Sequence, residues 1–140
     1  MSNPNGLNPN FEGLTLRPLR IVADDATPAS VGDNAIAPSI RSVVVTAVTN
    51  DANDWITLPS LASVPDGHEI TIIGSASSNF EVRTPASSNE EINSEDCDGT
   101  KEYLFTDTQI HKFVKINNTI GWMGHGYSAI GAVVTAVVPD

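Results

Sequence analysis

Residues 80–85 read FEVRTP, and their side chains alternate between apolar and polar before a proline ends the run. Successive side chains of a β-strand point to opposite faces of a sheet, so a period of two is typical of a half-buried strand. The stretch predicts a strand that buries Phe80 and Val82 and exposes Glu81 and Arg83 to solvent. No helix-length stretch of the chain shows the apolar spacing of an amphipathic helix, which favours an all-β fold.

The composition indicates the same fold class. The 140 residues include 25 Ile and Val but only 7 Leu, and 37 Ser, Thr and Asn against 24 charged residues. Branched side chains such as Ile and Val lose little rotamer freedom on a pleated surface, which favours strands. Turn signals at DG, residues 66–67, and NN, residues 117–118, suit tight hairpins and help to divide the chain after residue 40 into about eight strands. This spacing predicts an antiparallel β-sandwich or a barrel.

The N-terminal segment has a different character. Five of the nine prolines fall in the first 40 residues, a density that excludes a helix and interrupts strand pairing. We therefore predict an extended arm in residues 1–40 and a β domain in residues 41–140. The arm carries an apolar, partly alternating stretch that needs a surface to cover it, and two interpretations are open: a first strand of the same domain, or an arm that docks on a neighbouring subunit. The candidate partner-binding residues of the arm are Phe11, Leu14, Leu16, Arg17, Leu19, Arg20 and Ile21.

The C-terminal stretch, residues 131–138, is apolar on both faces and is ended by a proline. A strand without a solvated face lies in the centre of a sheet or at a subunit contact. The candidate residues for a subunit contact are Val133, Val134, Val137 and Val138.

The charge balance excludes several classes of partner. Seventeen acidic residues against seven basic ones give a formal net charge of −10, so the positive field on which non-specific nucleic-acid binding depends is missing. The longest apolar stretch, residues 129–138, is far shorter than the roughly 20 residues of a membrane-spanning helix. We expect neither nucleic acid nor membrane as a partner. The N terminus lacks the features of a secretory signal, and the single cysteine fits a reducing cytoplasm.

The motifs of common catalytic and metal sites are missing or incomplete. Residues 86–100 are rich in acids and predict a solvated loop, in which residues 94–99 resemble the start of a calcium loop. Ser94 replaces the first aspartate of such a loop, however, and Phe105 stands where a bidentate glutamate is required. The acids around Cys97 would raise the pKa of its thiol, and no nucleophile elbow or phosphate-binding loop is present. The three histidines, His68, His111 and His125, lack the local spacing of metal ligands. We therefore expect no enzyme activity, no catalytic residues, no metal and no cofactor.

The order of several short sequence words after residue 45 carries a resemblance. The words are DWITLP (54–59), GHEITII (67–73), NFEVRTP (79–85), NEEIN (89–93), EYLFTDT (102–108), GW (121–122) and the ending GAV to PD (131–140). In this phrasing the chain resembles small virion structural proteins of tailed bacteriophages, notably the capsid decoration or cement proteins. The resemblance does not cover residues 1–40.

The resemblance implies a β-sandwich or jelly-roll-like domain that forms a homotrimer on the outer capsid surface and stabilises contacts between major capsid protein subunits. The implied partners are the major capsid protein and other copies of the chain, and the implied location is the virion, assembled in the host cytoplasm. An alternative is a β-sandwich module of a phage tail or fibre that binds host glycans. That alternative requires an exposed pocket or aromatic platform, although aromatic residues in strands are more often core or interface. The candidates for such a platform are Trp55 and Trp122, with Tyr103 and Tyr127.

Overall fold

The computed structural model describes residues 18–24, 34–49, 54–75, 79–98, 101–105 and 108–127, and the backbone of two short strands at 133–134 and 137–139. The described residues contain β-strands and one 3₁₀ turn, Leu61–Ser63, so the predicted all-β fold class is confirmed. Within these ranges, no helix has the length and apolar character needed to cross a bilayer. The strands are β1 (Leu19–Ala23), β2 (Ser42–Val48), β3 (Trp55–Thr57), β4 (Glu69–Gly74), β5 (Phe80–Arg83), β6 (Glu91–Ile92), β7 (Glu95–Asp96), β8 (Lys101–Phe105), β9 (Ile110–Asn117), β10 (Gly121–Tyr127), β11 (Val133–Val134) and β12 (Val137–Pro139).

These strands form two sheets. The large sheet has the order β1-β2-β4-β9-β10-β6-β7, with β11 also paired to β10, and the small sheet has the order β12-β8-β5-β3. From β2 to β5 the chain alternates between the sheets, and β2 pairs in parallel with β4 while β3 pairs in parallel with β5. A connection that passes through the opposite sheet brings each strand back in the direction of the previous one, which gives a solenoid-like arrangement. The sheets are therefore mixed, and the prediction of an antiparallel fold is wrong in this respect.

Aromatic side chains of the two sheets meet in the core. The rings of Phe80 and Phe105 stack within the small sheet with their centroids 4.5 Å apart. Tyr103 of β8 contacts Phe113 of β9 edge to face at 4.9 Å, and this contact joins the small sheet to the large one. The largest fully buried apolar side chains are Trp122, Tyr103, Phe80, Phe105, Phe113, Ile56, Leu58, Ile70, Ile72 and Ile92.

Strand β5 contains the alternating stretch, and only one of its two faces behaves as predicted. Phe80 and Val82 are fully buried, but Glu81 is also buried, with 3% of its surface exposed. Its Oε2 accepts a hydrogen bond from Arg83 Nε at 2.7 Å, and the Arg83 guanidinium lies 4.3 Å above the ring of Trp55. The prediction of a solvated Glu81 is wrong because β5 is an interior strand of the small sheet, with β8 and β3 on either side.

The described part of the acidic stretch, residues 86–98, is a folded hairpin and not the predicted solvated loop. β6 and β7 pair in antiparallel orientation. Asn93 and Ser94 at the turn both have positive φ, 54° and 67°, as a type I′ turn requires. Ile92 and Cys97 are fully buried, so this hairpin belongs to the core.

The predicted hairpin between β9 and β10 is present, but its turn differs from the expected two-residue connection. Asn117 Oδ1 accepts hydrogen bonds from the N–H groups of Thr119 and Ile120, both at 2.8 Å. Gly121 adopts a φ of 82°, and the pairing register shifts between Gly121 and Trp122, which marks a bulge. Asparagine therefore acts here through its side-chain oxygen and not through a left-handed backbone.

Strand β1 settles the two interpretations of residues 19–23. It pairs in parallel with β2 of the same chain, and Ile21 and Ala23 are buried in the core. Ile36 is also buried there, so residues 18–24 and 34–40 belong with the β domain and not with an arm that ends at residue 40. This corrects the assignment of Leu19, Arg20 and Ile21 to an arm that docks on a neighbour. Phe11, Leu14, Leu16 and Arg17 lie outside the described residues.

The predicted C-terminal strand is two short strands. β11 pairs with β10 in the large sheet, and β12 pairs with β8 in the small sheet. The backbones of Val133, Val134, Val137 and Val138 therefore pair within the chain. Their side chains lie outside the described set, and the subunit contact stays a prediction.

Candidate functional site

The outer face of the large sheet exposes large apolar side chains. On β1, β2, β4, β9 and β10, alternate side chains point away from the core, and we call this surface the outer face. Ile110 pairs with Ile73, and four residues further along β9 Val114 pairs with Met123. Exposed large hydrophobic residues on its strands or in the β9–β10 turn are Val22 (40%), Ile110 (51%), Ile116 (39%), Ile120 (44%) and Met123 (44%). Lys112 and His125 lie between Ile110 and Met123 in the register, so the face combines exposed apolar side chains with polar ones, a mixture that suits an interaction surface.

The outer face is less acidic than the chain as a whole. Its charged residues on the strands are Arg20, Lys112 and Glu69, and Lys112 Nζ lies 2.9 Å from a carboxylate oxygen of Glu69. His125 pairs with Lys112 on the same face and is exposed. A face with two bases and one acid contrasts with the formal net charge of −10.

A buried polar network lies on the inner side of β9. Tyr103 Oη and His111 Nδ1 are 2.7 Å apart, and His111 Nε2 lies 2.6 Å from Gln109 Oε1. A neutral imidazole satisfies both contacts when Nδ1 accepts the tyrosine proton and Nε2 donates to Gln109. Burial lowers the pKa of His111 to about 4 and raises the pKa of Tyr103. Because Tyr103 and His111 are fully buried, the network belongs to the core.

Two glycines of β10 make room for these rings. Gly124 lies opposite Phe113, and Gly126 lies opposite His111. A Cβ atom at either position would overlap the facing ring. Gly124 and Gly126 therefore form a recess on the inner face of β10, whereas His125 between them lies on the outer face.

A polar pocket of about 260 Å³ opens where three segments meet. It is lined by Leu61 and Ala62 of the 3₁₀ turn, by residues 88–91, and by Asn118, Thr119 and Gly121 of the β9–β10 turn. We call it the turn pocket. Gly121 holds the third segment close to the second, because a Cβ atom there would overlap the Glu91 carbonyl oxygen.

Glu90 connects the walls of the turn pocket. Its Oε1 accepts a hydrogen bond from the Leu61 N–H at 2.9 Å, whereas its Oε2 is buried and has no hydrogen-bond partner among the described residues. Loss of hydration on burial is the main reason that the pKa of Glu90 lies above its ordinary value.

Lys115 fixes the 3₁₀ turn from the opposite side. Its Nζ donates to the carbonyl oxygens of Leu61 and Val64, both at 2.8 Å, and lies 3.1 Å from Asp66 Oδ1. An ammonium group has three protons to donate, so these acceptors use all of them. Lys115 is therefore a structural cation that leaves no proton for Glu90.

The tryptophans do not form an exposed platform. Trp122 is fully buried, and His68 contacts it edge to face at 6.1 Å. Trp55 is half-buried beneath the guanidinium of Arg83.

The other candidate residues are dispersed. His68 and Cys97 are buried, and His125 is exposed on β10. Among the residues that the structure describes, no group of three His, Cys, Asp or Glu side chains is placed to hold a metal. The pKa of Cys97 is raised to about 11, as predicted in direction, with burial contributing more than the acids.

Sequence reasoning missed the turn pocket, Lys115 and the buried histidine network. Lys115 bonds to a carbonyl 54 positions earlier in the chain, and no local pattern signals such a contact. One signal was present for His111: it stands at an inward position of an alternating strand, facing a glycine of the next strand.

The chain matches no protein-family model and no curated protein sequence.

Proposed function

We propose that this chain is a structural virion protein of the capsid decoration type. It binds the outer capsid surface as a homotrimer and stabilises contacts between major capsid protein subunits, and it is not an enzyme. In this proposal the two facing sheets act as a sandwich or jelly-roll-like knob. The chain is made in the host cytoplasm and ends on the outside of the particle.

The observation that carries the proposal is the outer face. Covering Ile110, Met123 and their neighbours removes apolar surface from water at roughly 25 cal/mol per Å², which is the main driving force for assembly. With two bases and one acid, the outer face escapes the negative charge that dominates the rest of the chain, so less charge has to be desolvated when it is covered. We therefore assign the outer face to the capsid shell.

The chemistry of the interior also supports a structural task. His111 and Tyr103 have the side chains of an acid–base pair, yet both are enclosed by the core. Lys115 uses its protons to hold main-chain carbonyls. These groups stabilise a compact domain, as expected of a protein that bears load.

Two further contacts belong to the proposal. Phe11, Leu14, Leu16 and Arg17 bind a neighbouring subunit, and Val133, Val134, Val137 and Val138 contribute to the contact between copies in the trimer. Arg20, in β1, adds a positive charge at the margin of the outer face.

Sedimentation with the assembled capsids of the virus that encodes the chain tests the proposal. The full chain is expected to bind in many copies over the whole shell. The double variant Ile110→Lys/Met123→Lys is expected to lose binding but to fold, since both side chains are exposed. The matched control Ser39→Lys/Ala86→Lys adds the same charge at exposed positions outside the outer face and is expected to bind normally. Only a few copies per particle, or equal binding by both variants, would contradict the assignment.

The alternative, a glycan-binding module of a tail or fibre, is favoured by one observation, the turn pocket with its Asn, Ser and Thr side chains. It predicts saturable binding to a sugar on an array and loss of that binding in Asn118→Ala. The same array is expected to stay blank if the chain is a decoration protein.

A further inference from the structure

We propose that a second copy of the chain adds its residues 11–16 as a strand along the free side of β1. We call this side, which faces away from β2, the β1 edge. The inference rests on one part of the proposed function, in which the N-terminal segment binds a neighbouring subunit, and it names the surface that receives this segment. It does not rest on the capsid assignment, because donor and acceptor both belong to this chain.

β1 is the terminal strand of the large sheet. It pairs with β2, and the residues that the structure describes include no strand on its other side. The Ala23 carbonyl oxygen accepts a hydrogen bond from the Thr49 N–H at 3.0 Å, so the main-chain groups of Ala23 face β2. Because main-chain groups of successive strand residues point to opposite sides, those of Arg20 and Val22 point to the β1 edge. Each of these two residues therefore offers an N–H and a carbonyl group to an added strand.

The β1 edge lacks the features with which proteins usually protect an edge strand. Such features are charges directed inward, proline, a bulge or a very short strand. β1 has five residues, and its side chains that face the core are Leu19, Ile21 and Ala23. The register shift in its pairing places the extra residue, Thr46, in β2. The strand at the opposite end of the same sheet, β7, consists only of Glu95–Asp96, so β1 is the edge that favours strand addition.

The small sheet ends in the same rung. The Ile36 N–H donates to the Thr57 carbonyl oxygen, and the Thr57 N–H donates to the Asn34 carbonyl oxygen, both at 2.8 Å. Residues 34–36 therefore lie beside β3 in parallel, as β1 lies beside β2. A solenoid-like stack exposes main-chain groups at its terminal rung unless another segment caps it. The rung formed by β1 and residues 34–36 is where such a segment is needed.

Residues 11–16 have the sequence of a strand that fits this position. They read FEGLTL, in which Leu14 and Leu16 occupy alternate positions, and a period of two is typical of a half-buried strand. An added strand places every second side chain beside the core-facing row of β1. Leu14 and Leu16 can therefore extend the apolar core beyond Leu19, which removes their surface from water.

Backbone geometry assigns these residues to another copy, because one chain cannot easily lay them along its own β1 edge. In an antiparallel hairpin the turn would fall at Arg17 and Pro18, which separate residue 16 from Leu19. The favoured two-residue turns need positive φ at the first or at both positions. Proline is fixed at a φ of about −65° and restricts the residue before it to extended backbone. A parallel arrangement needs a connection of about a dozen residues or more.

Exchange of this segment also fits a closed assembly. Each copy has one donor segment and one β1 edge, so copies join head to tail, and a ring closes when the last copy donates to the first. The proposed homotrimer is such a ring of three copies. Every donor segment and every β1 edge is then used.

The test detects contact between copies by paramagnetic broadening in NMR spectra. ¹⁵N-labelled wild type and unlabelled Glu12→Cys that carries a nitroxide are unfolded and refolded together, so that both enter the same oligomers. Cys97 stays unmodified near neutral pH, because it is buried and the pKa of its thiol is about 11. The amides of Arg20 and Val22 are expected to lose most of their intensity and to regain it when the nitroxide is reduced. A nitroxide on Ala86→Cys, at an exposed position outside β1, is expected to leave both amides unchanged.

Two variants and a control test the contact by sedimentation. Val22→Pro removes an N–H that faces the β1 edge, and proline is tolerated at edge positions whose N–H points away from the neighbouring strand. It is expected to fold and to weaken association at least about tenfold. Leu14→Asp/Leu16→Asp provides a second reading if Val22→Pro misfolds. Its matched control, Asn3→Asp/Asn5→Asp, adds the same charge outside residues 11–16 and is expected to associate normally.

Three results would overturn the proposal. These are a chain that stays monomeric, association that is equal in all variants, and broadening that appears only when nitroxide and ¹⁵N are in the same chain. The last result would assign the segment to its own β1. Strand exchange without capsid binding would contradict the decoration role alone, and capsid binding without strand exchange would contradict this inference alone.

Discussion

His111 is a buried histidine that the fold holds neutral, and this makes stability depend on pH. Its pKa is about 4 in the folded chain, against an ordinary value of 6.5. The unfolded chain therefore binds a proton first as the pH falls, so stability is complete above 6.5 and decreases as the pH falls towards 4. At 1.36 kcal/mol per pKa unit the loss from this residue reaches about 3 kcal/mol.

Urea unfolding of the wild type and of His111→Gln at several pH values measures how much His111 contributes to the pH dependence of stability. The variant is expected to be less stable at neutral pH but to lose less stability between pH 6.5 and 4, because its side chain does not titrate. His125→Gln is expected to reduce the pH dependence only slightly, since the charge of His125 on the neighbouring strand is a smaller cause of the lowered His111 pKa than burial. An unchanged pH dependence in His111→Gln would contradict the assignment.

Alanine substitutions at Gly121 and Gly67 distinguish the stability cost of backbone strain from that of steric overlap. Both have positive φ, 82° and 80°. An alanine Cβ at 121 would overlap the Glu91 carbonyl oxygen, whereas one at 67 meets nothing within 4 Å. We expect Gly67→Ala to cost about 1–2 kcal/mol, the price of left-handed backbone for an L-residue, and Gly121→Ala to cost clearly more. If chemical denaturation showed the same loss in free energy of unfolding for both variants, the β9–β10 turn would have to move aside for the new Cβ atom at no cost in stability.

At the scale of elements, two lysines of β9 predict opposite outcomes. Lys115 is buried and bonds to the carbonyls of Leu61 and Val64, whereas Lys112 forms a half-exposed ion pair with Glu69. Lys115→Met leaves two carbonyls and Asp66 without their donor, and we expect a loss of about 2–4 kcal/mol and faster amide exchange in the 3₁₀ turn. Lys112→Met is expected to cost less than about 1 kcal/mol. Similar losses in both variants would mean that Lys115 does not anchor the turn.

The elements also show what local sequence can predict. Alternation predicted the burial of Phe80 and Val82 in β5, and the NN turn signal predicted the β9–β10 hairpin, because these features depend on residues close together in the sequence. Alternation wrongly predicted that Glu81 is exposed, because the burial of this residue depends on the neighbouring strands β3 and β8. Asn93 shows the same limit: its amide exchanges two hydrogen bonds with the main chain of Gly124, 31 positions away.

The parallel pairs were missed for a related reason. The sequence pattern of a strand does not identify the strand with which it pairs, and hairpin signals favour antiparallel neighbours. The pairing of β2 with β4 and of β3 with β5 follows from the alternation of the chain between two sheets. The turn pocket could not be predicted either, since its three walls come from segments far apart in the sequence.

At the scale of the whole molecule, the net charge and the outer face predict how association responds to salt. Copies with a charge of −10 repel one another, and the outer face is where this repulsion is weakest. The Debye length falls from about 30 Å at 0.01 M to about 3 Å at 1 M, so added salt removes the repulsion but leaves apolar burial intact. In the absence of capsids the outer face is uncovered, and we therefore expect additional association of copies through it to strengthen with salt.

Analytical ultracentrifugation of the full chain across this salt range measures whether its association strengthens as salt is added. Ile110→Lys/Met123→Lys should remove the salt-promoted association, because it places two charges within the apolar surface of the outer face. Ser39→Lys/Ala86→Lys changes the net charge equally and should retain it. Association that weakens with salt would instead mean that the copies meet through complementary charges, since screening reduces only charge attraction. The outer face would then not be the surface that holds them together.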